Sequence, residues 1–79
     1  MSVRIALLDT VALAVDLPLL GLSAGEVGSV VEVLGNGSAF EVEFVDLSGA
    51  TYGLHTFQAK QLISLHTRGR SLRLGAGAA

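Results

Sequence analysis

Cysteine and tryptophan are absent from this 79-residue chain, and proline occurs once. The lack of cysteine excludes disulfides, thiolate metal sites and cysteine nucleophiles, and it fits a reducing cytoplasm. Aromatic residues are scarce, with three Phe and one Tyr, although hydrophobic residues make up 51% of the chain. We therefore expect one small domain whose core consists mainly of Val, Leu, Ala and Ile, without a covalent staple.

Long hydrophobic runs are also missing. The most apolar stretch, residues 11–22, is interrupted by Asp16 and Pro18 and is shorter than the roughly 20 residues that span a bilayer. A signal-peptide pattern is not present, because Asp9 ends the short apolar run that follows Arg4. These features predict a cytoplasmic protein with no membrane partner.

Charge is distributed unevenly, although the formal net charge is only −2. All seven carboxylates precede residue 47, whereas Arg68, Arg70 and Arg73 lie close together near the end of the sequence. An acidic body repels phosphate backbones, so this distribution disfavours binding to nucleic acid.

Two β-rich runs on either side of Asn36-Gly37 predict a β-hairpin, because both central residues of a type I′ turn need positive φ. Paired residue numbers then add to 73, which places Val31 opposite Val42 and Glu32 opposite Glu41. A slip of one residue would turn one strand's apolar set to solvent, so the pattern supports this register.

A second hairpin is predicted through a three-residue loop in which Gly49 is left-handed. It pairs Phe44 with Tyr52 and orients His55 away from the core, and Gly53 suggests a bulge or bend in the strand. The predicted core of the two hairpins comprises Val31, Val33, Phe40, Val42, Phe44 and Leu54.

The remaining elements complete an all-β layout. Residues 11–15 alternate as a strand that buries one face, although a helix also fits this Ala/Leu-rich stretch. A long first loop follows it. Residues 58–60 predict a short helical turn, and residues 61–65 a last strand. Five strands in this order predict a small SH3-like barrel.

Two segments carry a family resemblance: Gly25-Glu26-Val27-Gly28-Ser29-Val30-Val31 and Phe40-Glu41-Val42-Glu43-Phe44-Val45-Asp46. Together with the surrounding turns, over about residues 9–65, they resemble a family of short bacterial domains of unknown function with an SH3-like barrel. The first segment also resembles KOW-type barrels and the small barrel of nitrile hydratase β subunits. The resemblance implies a bacterial origin and a fold, and it implies little about activity, because such barrels host many unrelated roles.

Three segments follow from this comparison of patterns. Residues 1–8 form an N-terminal extension, residues 9–66 the barrel, and residues 67–79 a tail that is first basic and then rich in Gly and Ala.

Candidate catalytic groups are few. His55 and His66 are the only histidines, and neither lies in a His-x-x-x-His or Glu-x-x-His spacing that would support a metal site. Glu32, Glu41 and Glu43 form an acidic patch on an open strand face, which lacks the pocket that acid–base catalysis needs. We therefore predict a protein that is not an enzyme and has no cofactor, no metal and no catalytic residue.

The leading functional hypothesis is a protein-interaction module that binds a protein partner or a second copy of itself, most simply as a dimer. Both chain ends carry apolar residues that need cover, and the arginines of the tail complement the acidic patch. The predicted interface comprises Val3, Ile5, Leu7, Glu32, Glu41, Glu43, Arg68, Arg70, Leu72, Arg73 and Leu74. The alternatives are a monomer whose tail folds back on its own barrel, and an accessory or regulatory barrel that completes a small-molecule or enzyme site on a separate chain.

Overall fold

Five antiparallel strands form the structure, a computed structural model that describes residues 4–65. The strands are β1 (Thr10–Leu13), β2 (Val27–Leu34), β3 (Ala39–Val45), β4 (Thr51–Gln58) and β5 (Leu62–Ser64). Short 3-10 turns lie at Pro18–Leu20, Gly35–Gly37 and Ala59–Gln61, and residues 4–65 contain no α-helix. The predicted all-β class is confirmed, and the helix alternative for the first stretch is wrong.

The sheet, with strand order β4-β3-β2-β1-β5, is curved, because a short turn joins its two edge strands. In a flat sheet the two edge strands would lie about 19 Å apart, four spacings of about 4.8 Å. The turn Ala59–Gln61 nevertheless joins β4 directly to β5. Four Cα–Cα steps from Gln58 to Leu62 reach at most about 15 Å, and a 3-10 turn is much shorter than that limit. The sheet must therefore curve until its two edges approach each other.

One hydrophobic core fills the concave side of this sheet. Its buried members come from every strand and from the first loop: Val11, Leu13, Leu22, Val30, Phe40, Val42, Phe44, Phe57 and Leu62. Ile5 and Leu17 pack against this cluster. The rings of Phe44 and Phe57 meet edge to face with centroids 6.0 Å apart, a favourable arrangement for an aromatic pair.

The first hairpin has the predicted register near its loop and a bulge beyond it. Glu32 lies opposite Glu41 as predicted, but the next pair is Val30 with Val42, so Val31 is an extra residue. Val30 is consequently 0% exposed and Val31 38% exposed. The prediction that Val31 belongs to the core is wrong.

The bulge lies where the N-terminal segment meets β2. The Leu8 N–H donates to the Val30 carbonyl at 2.7 Å, and the Val30 N–H donates to the Asp9 carbonyl at 2.9 Å. Val30 therefore pairs on one side with the segment before β1 and on the other with β3. This long-range pairing has no local sequence signal, which is why the hairpin pattern alone placed Val31 inside.

The loop of the first hairpin is wider than the predicted two-residue turn. The last strand pair is Leu34 with Ala39, and the Ser38 N–H donates to the Leu34 carbonyl at 3.1 Å. Asn36 and Gly37 have φ of 58° and 96°, so the left-handed backbone expected of them is confirmed. Only the position where the loop closes differs from the prediction.

In the second hairpin the predicted loop is confirmed and the register beyond it is not. Gly49 has φ of 88°, and the Asp46 N–H donates to the Ala50 carbonyl at 2.9 Å, which leaves a three-residue loop. The register shifts one pair beyond the loop, so Gly53 lies opposite Phe44 and Tyr52 is the extra residue.

This second bulge reverses the faces of β4. Phe57 is buried, whereas Leu54 is half-exposed, as is Val33 to a lesser degree in β2. The prediction that Leu54 belongs to the core is therefore wrong. Val33 keeps its predicted pairing with Phe40 but is 38% exposed, so its prediction as a core residue is also wrong. Phe40, Val42 and Phe44 are buried as predicted. No helix of the described chain is long and apolar enough to cross a membrane.

Candidate interaction surface

The convex side of the sheet carries a cross-strand line of apolar side chains, which we call the apolar row. Ala12 of β1 lies between Ile63 of β5 and Val27 of β2 in the strand register. The pair Ser29–Glu43 is the last one before this end of β2 and β3. Two residues further along each strand, the same antiparallel register sets Val27 beside Val45 of β3. The row therefore consists of Ile63, Ala12, Val27 and Val45.

Exposure agrees with this placement. Val27, Val45 and Ile63 are each about half exposed, and nothing in the described chain covers them. Ala12 is only 7% exposed, because Ile63 and Val27 flank its small side chain. It lies on the convex face and is not part of the core cluster. The row is a continuous apolar strip rather than a set of isolated side chains, and such strips are typical of contact surfaces.

Acidic side chains occupy the same face next to the apolar row, and we call them the acidic rows. Glu43 lies opposite Ser29 and Leu54, and Glu41 lies opposite Glu32. The predicted pairing of Glu32 with Glu41 is confirmed, and all three glutamates share one face with the apolar row. Like charges directly opposite each other are destabilising unless solvent or a cation screens them.

Counter-charges for the acidic rows are lacking in the part of the chain that the structure describes. The Thr51 hydroxyl donates to Glu43, a neutral contact. Arg4 and Lys60 are the two Arg or Lys residues between positions 4 and 65. The acidic rows are therefore able to attract a cationic segment from outside these residues.

Tyr52 lies half-exposed at the rim of the core, and the predicted pairing of Tyr52 with Phe44 is wrong, because Gly53 lies opposite Phe44. Its hydroxyl donates to a Glu26 carboxylate oxygen at 2.9 Å, and its ring centroid is 6.1 Å from that of Phe44. The hydrogen bond to Glu26 raises the pKa of Tyr52 above its usual 10.0. The sequence does not predict this contact, because the two residues are 26 positions apart and no local motif links them.

Asp46 organises the loop between β3 and β4. One carboxylate oxygen accepts hydrogen bonds from the Ser48 hydroxyl at 2.6 Å, the Ser48 N–H at 2.9 Å and the Ala50 N–H at 3.0 Å. The Ser48 hydroxyl, followed by the backbone donors, lowers the pKa of Asp46 below its usual 3.8. These bonds give Asp46 a structural role, since they fix the turn locally.

His55 faces the core side of β4, contrary to the predicted outward orientation. It lies opposite Val42 and is half-buried, and its ring meets Phe57 edge to face at 6.4 Å. Among residues 4–65 no three His, Cys, Asp or Glu side chains are grouped closely enough to hold a metal ion. His66 lies outside the described residues.

The predicted interface is only partly within the described chain. Ile5 packs against the core of its own chain, whereas Leu7 is more than half exposed. Glu32, Glu41 and Glu43 lie together on the convex face. The remaining predicted interface residues fall outside the described residues: Val3, Arg68, Arg70, Leu72, Arg73 and Leu74.

Together the fold and its surface define a small all-β domain with an amphipathic convex face. The chain belongs to the family described as Domain of unknown function (DUF4926), whose family model matches residues 7–64 and so includes all five strands. Searches of curated proteins and of solved structures found no match.

Proposed function

We propose that this domain is a non-catalytic protein-interaction module with an SH3-like barrel fold, and that it associates with a second copy of itself through the apolar row. The observation that carries the proposal is the continuity of that row across four neighbouring strands. A bacterial and cytoplasmic setting is part of the proposal: the family resemblance of the sequence supports a bacterial origin, and the absence of cysteine supports the cytoplasm.

The barrel assignment is supported by three features of the sheet. The chain order gives an antiparallel sheet with β5 beside β1, the link Ala59–Gln61 draws the two edges together, and a single core lies inside the curve. Small barrels commonly close in this way, with bulges at the points where strands bend.

Symmetry makes the convex face suitable for self-association. A two-fold axis along the apolar row would place one copy's row against the same row of the other copy. The acidic rows of the two copies would then lie on opposite sides of the axis, so they would not face each other. Two sheets packed in this way lie about 10 Å apart with their apolar side chains between them.

The size of the face sets the strength of this contact. Five strands about 4.8 Å apart and about 18 Å long give a face of roughly 430 Å² per copy, or about 860 Å² for two. Stable dimers bury about 1,200–2,000 Å². We therefore expect a weak dimer from the convex face alone.

In this proposal, the C-terminal tail, residues 67–79, supplies the buried area that the convex face lacks. Arg68, Arg70 and Arg73 complement the charge of the acidic rows, and Leu72 and Leu74 add apolar surface. The sequence reaches these residues directly after β5, an edge strand whose Ile63 belongs to the apolar row.

The test is the molar mass in solution, measured by light scattering at several concentrations. The full chain of 8.1 kDa should approach twice that mass as its concentration rises. Replacing both Val27 and Val45 by Thr keeps β-branched side chains and removes apolar surface, so it should shift the protein to monomer. A chain that stays monomeric at the highest concentration reached would overturn the proposal.

Leu47→Asn provides a matched control, because Leu47 is fully exposed in the β3–β4 loop and lies outside the row. This variant should keep the dimer. Circular dichroism and thermal unfolding of both variants separate a lost contact from a lost fold. Loss of the dimer in Leu47→Asn, with Val27 and Val45 intact, would assign the contact to the loop instead.

A further inference from the structure

A cleft of about 330 Å³ lies away from the convex face, between the N-terminal segment, the loop of the first hairpin and the turn Ala59–Gln61. Its apolar walls are Ile5, Val33, Phe40 and Ala59. Ile5 and Phe40 are also held by the core, so these walls rest on the packed interior of the domain. Val33 is more than one-third exposed and faces the cleft.

Charge around this cleft differs in sign from that of the rest of the domain. Arg4 lines the cleft, and Lys60 directly follows Ala59 of its wall. These are the two Arg or Lys residues of the chain from residue 4 to residue 65, whereas all seven carboxylates of the sequence also lie in that range. None of the seven lines the cleft.

Neither Arg4 nor Lys60 forms an ion pair with another residue of the described chain, although acidic residues outnumber them there. Asn36 also lines the cleft, and its side chain contains an amide donor. The cleft therefore combines apolar walls with polar groups, as small-molecule sites commonly do.

We propose that this cleft binds an organic carboxylate, with the apolar part of the ligand against Val33 and Phe40 and its carboxylate on the Arg4 guanidinium. Arginine is suited to this role because it presents two parallel N–H donors to the two carboxylate oxygens. At about 30 Å³ for each water-sized group, the volume accepts a ligand of about eleven heavy atoms. A free aliphatic acid and the carboxyl terminus of a peptide both offer this chemistry.

This inference is independent of the proposed self-association. The cleft and the apolar row share no residue, and they lie on the concave and convex sides of the sheet. A failure of either proposal therefore leaves the other in place.

The test is a titration of the full chain with octanoate, followed by amide NMR shifts and calorimetry. Shifts should concentrate at Val33, Asn36, Gly37 and Ala59. Octan-1-ol, which lacks the charge, should bind at least fivefold more weakly, and raising the salt concentration should weaken octanoate binding. Octylamine, which is positively charged at neutral pH, should not bind.

Variants of Arg4 test whether its charge binds the carboxylate. Arg4→Gln should weaken octanoate at least fivefold, and Arg4→Lys should lie between it and the unchanged protein, since lysine keeps the charge and loses the two-pronged geometry. Leu19→Glu is the matched control: it changes the net charge by the same amount at a fully exposed position in the first loop. It should leave the affinity unchanged.

A second titration identifies the source of the carboxylate. An N-acetylated Ala-Leu dipeptide with a free carboxyl terminus is compared with its C-terminal amide. Binding of octanoate alone assigns the cleft to free acids, and binding of the free dipeptide alone assigns it to peptide termini. The proposal is overturned if neither acid shifts the cleft amides, if octan-1-ol binds as well as octanoate, or if Leu19→Glu weakens binding as much as Arg4→Gln.

Discussion

Gly28 of β2 is a position where the fold has no room for a side chain. A Cβ atom built there would lie 2.6 Å from Val42 Cγ1, 2.8 Å from the Glu43 carbonyl oxygen and 3.0 Å from Phe44 Cδ1. A rotation of Val42 could relieve the first contact. The carbonyl belongs to the backbone of the neighbouring strand, so relieving the second contact requires the two strands to separate.

These contacts set the expected cost of Gly28→Ala. Overfilling a packed core costs about 1–3 kcal/mol. Because Gly28 does not have a positive φ, alanine fits the backbone conformation at this position. Alanine also lowers the conformational entropy of the unfolded chain, which stabilises the fold by about 0.4–1 kcal/mol. We expect a net loss of about 1–2 kcal/mol in the free energy of unfolding. That is a large share of the roughly 3–5 kcal/mol available to a domain of this size.

Urea unfolding followed by circular dichroism measures this loss. With a slope of about 1 kcal/mol per molar urea, the midpoint should fall by about 1–2 M. Gly53→Ala is the control, because its nearest neighbour, Phe44 Cδ2, would lie 3.4 Å away and Gly53 also lacks a positive φ. Its stability should change by less than about 1 kcal/mol.

A double-mutant cycle separates the side-chain contact from the backbone contact. In a Val42→Ala background, Gly28→Ala should cost less, because the 2.6 Å contact is gone. It should still cost something, because the Glu43 carbonyl remains. If Gly28→Ala leaves the free energy of unfolding unchanged in both the Val42 and the Val42→Ala backgrounds, the close approach of β2 and β3 at this point is wrong.

Two further predictions follow from the structure. Val30→Ala should lower the unfolding free energy by about 1.5–3 kcal/mol and Val31→Ala by less than about 1 kcal/mol, as measured by urea unfolding, because only Val30 is buried; equal losses would place both in the core. Because the folded-state pKa of Asp46 is lowered, its stabilising effect is present above pH 3.8 and is lost as the pH falls through the folded value. The stability difference between the unchanged chain and Asp46→Asn should therefore shrink below that pH in acid unfolding curves, and a constant difference would contradict the role of this carboxylate.

The elements with local signals were predictable from the sequence. Asn36 and Gly49 occupy the left-handed positions that their loops require, and the residues around them form strands as expected. Such loops depend on residues a few positions apart, so a short window of sequence contains the information needed to find them.

The side-chain faces were predictable only as far as the first bulge in each hairpin. One extra residue, Val31 in β2 or Tyr52 in β4, turns every side chain beyond it, on the side away from the hairpin loop, to the other face. Alternation continued through the bulge therefore placed Leu54 inside and left Phe57 outside, the reverse of the structure. A bulge keeps the residue types of a strand and changes only the phase, so alternation cannot locate it.

The candidate sites depend on contacts between distant parts of the chain. The acidic rows were found because they lie within one hairpin. The apolar row and the cleft were missed because each joins segments from both ends of the described chain: Ile63 with Ala12 in the row, and Arg4 with Ala59 in the cleft. Their assembly depends on the curvature of the whole sheet, for which no local sequence pattern exists.

The bulge at Val31 links the core, the tight glycine and the proposed contact surface. Without it, the register of the first hairpin would continue, and Gly28 rather than Val27 would stand beside Val45 on the convex face. The extra residue turns Gly28 inward against Phe44, where only glycine fits, and turns Val27 outward into the apolar row. The same one-residue shift that buries Val30 thus also builds the face through which we propose that the domain associates.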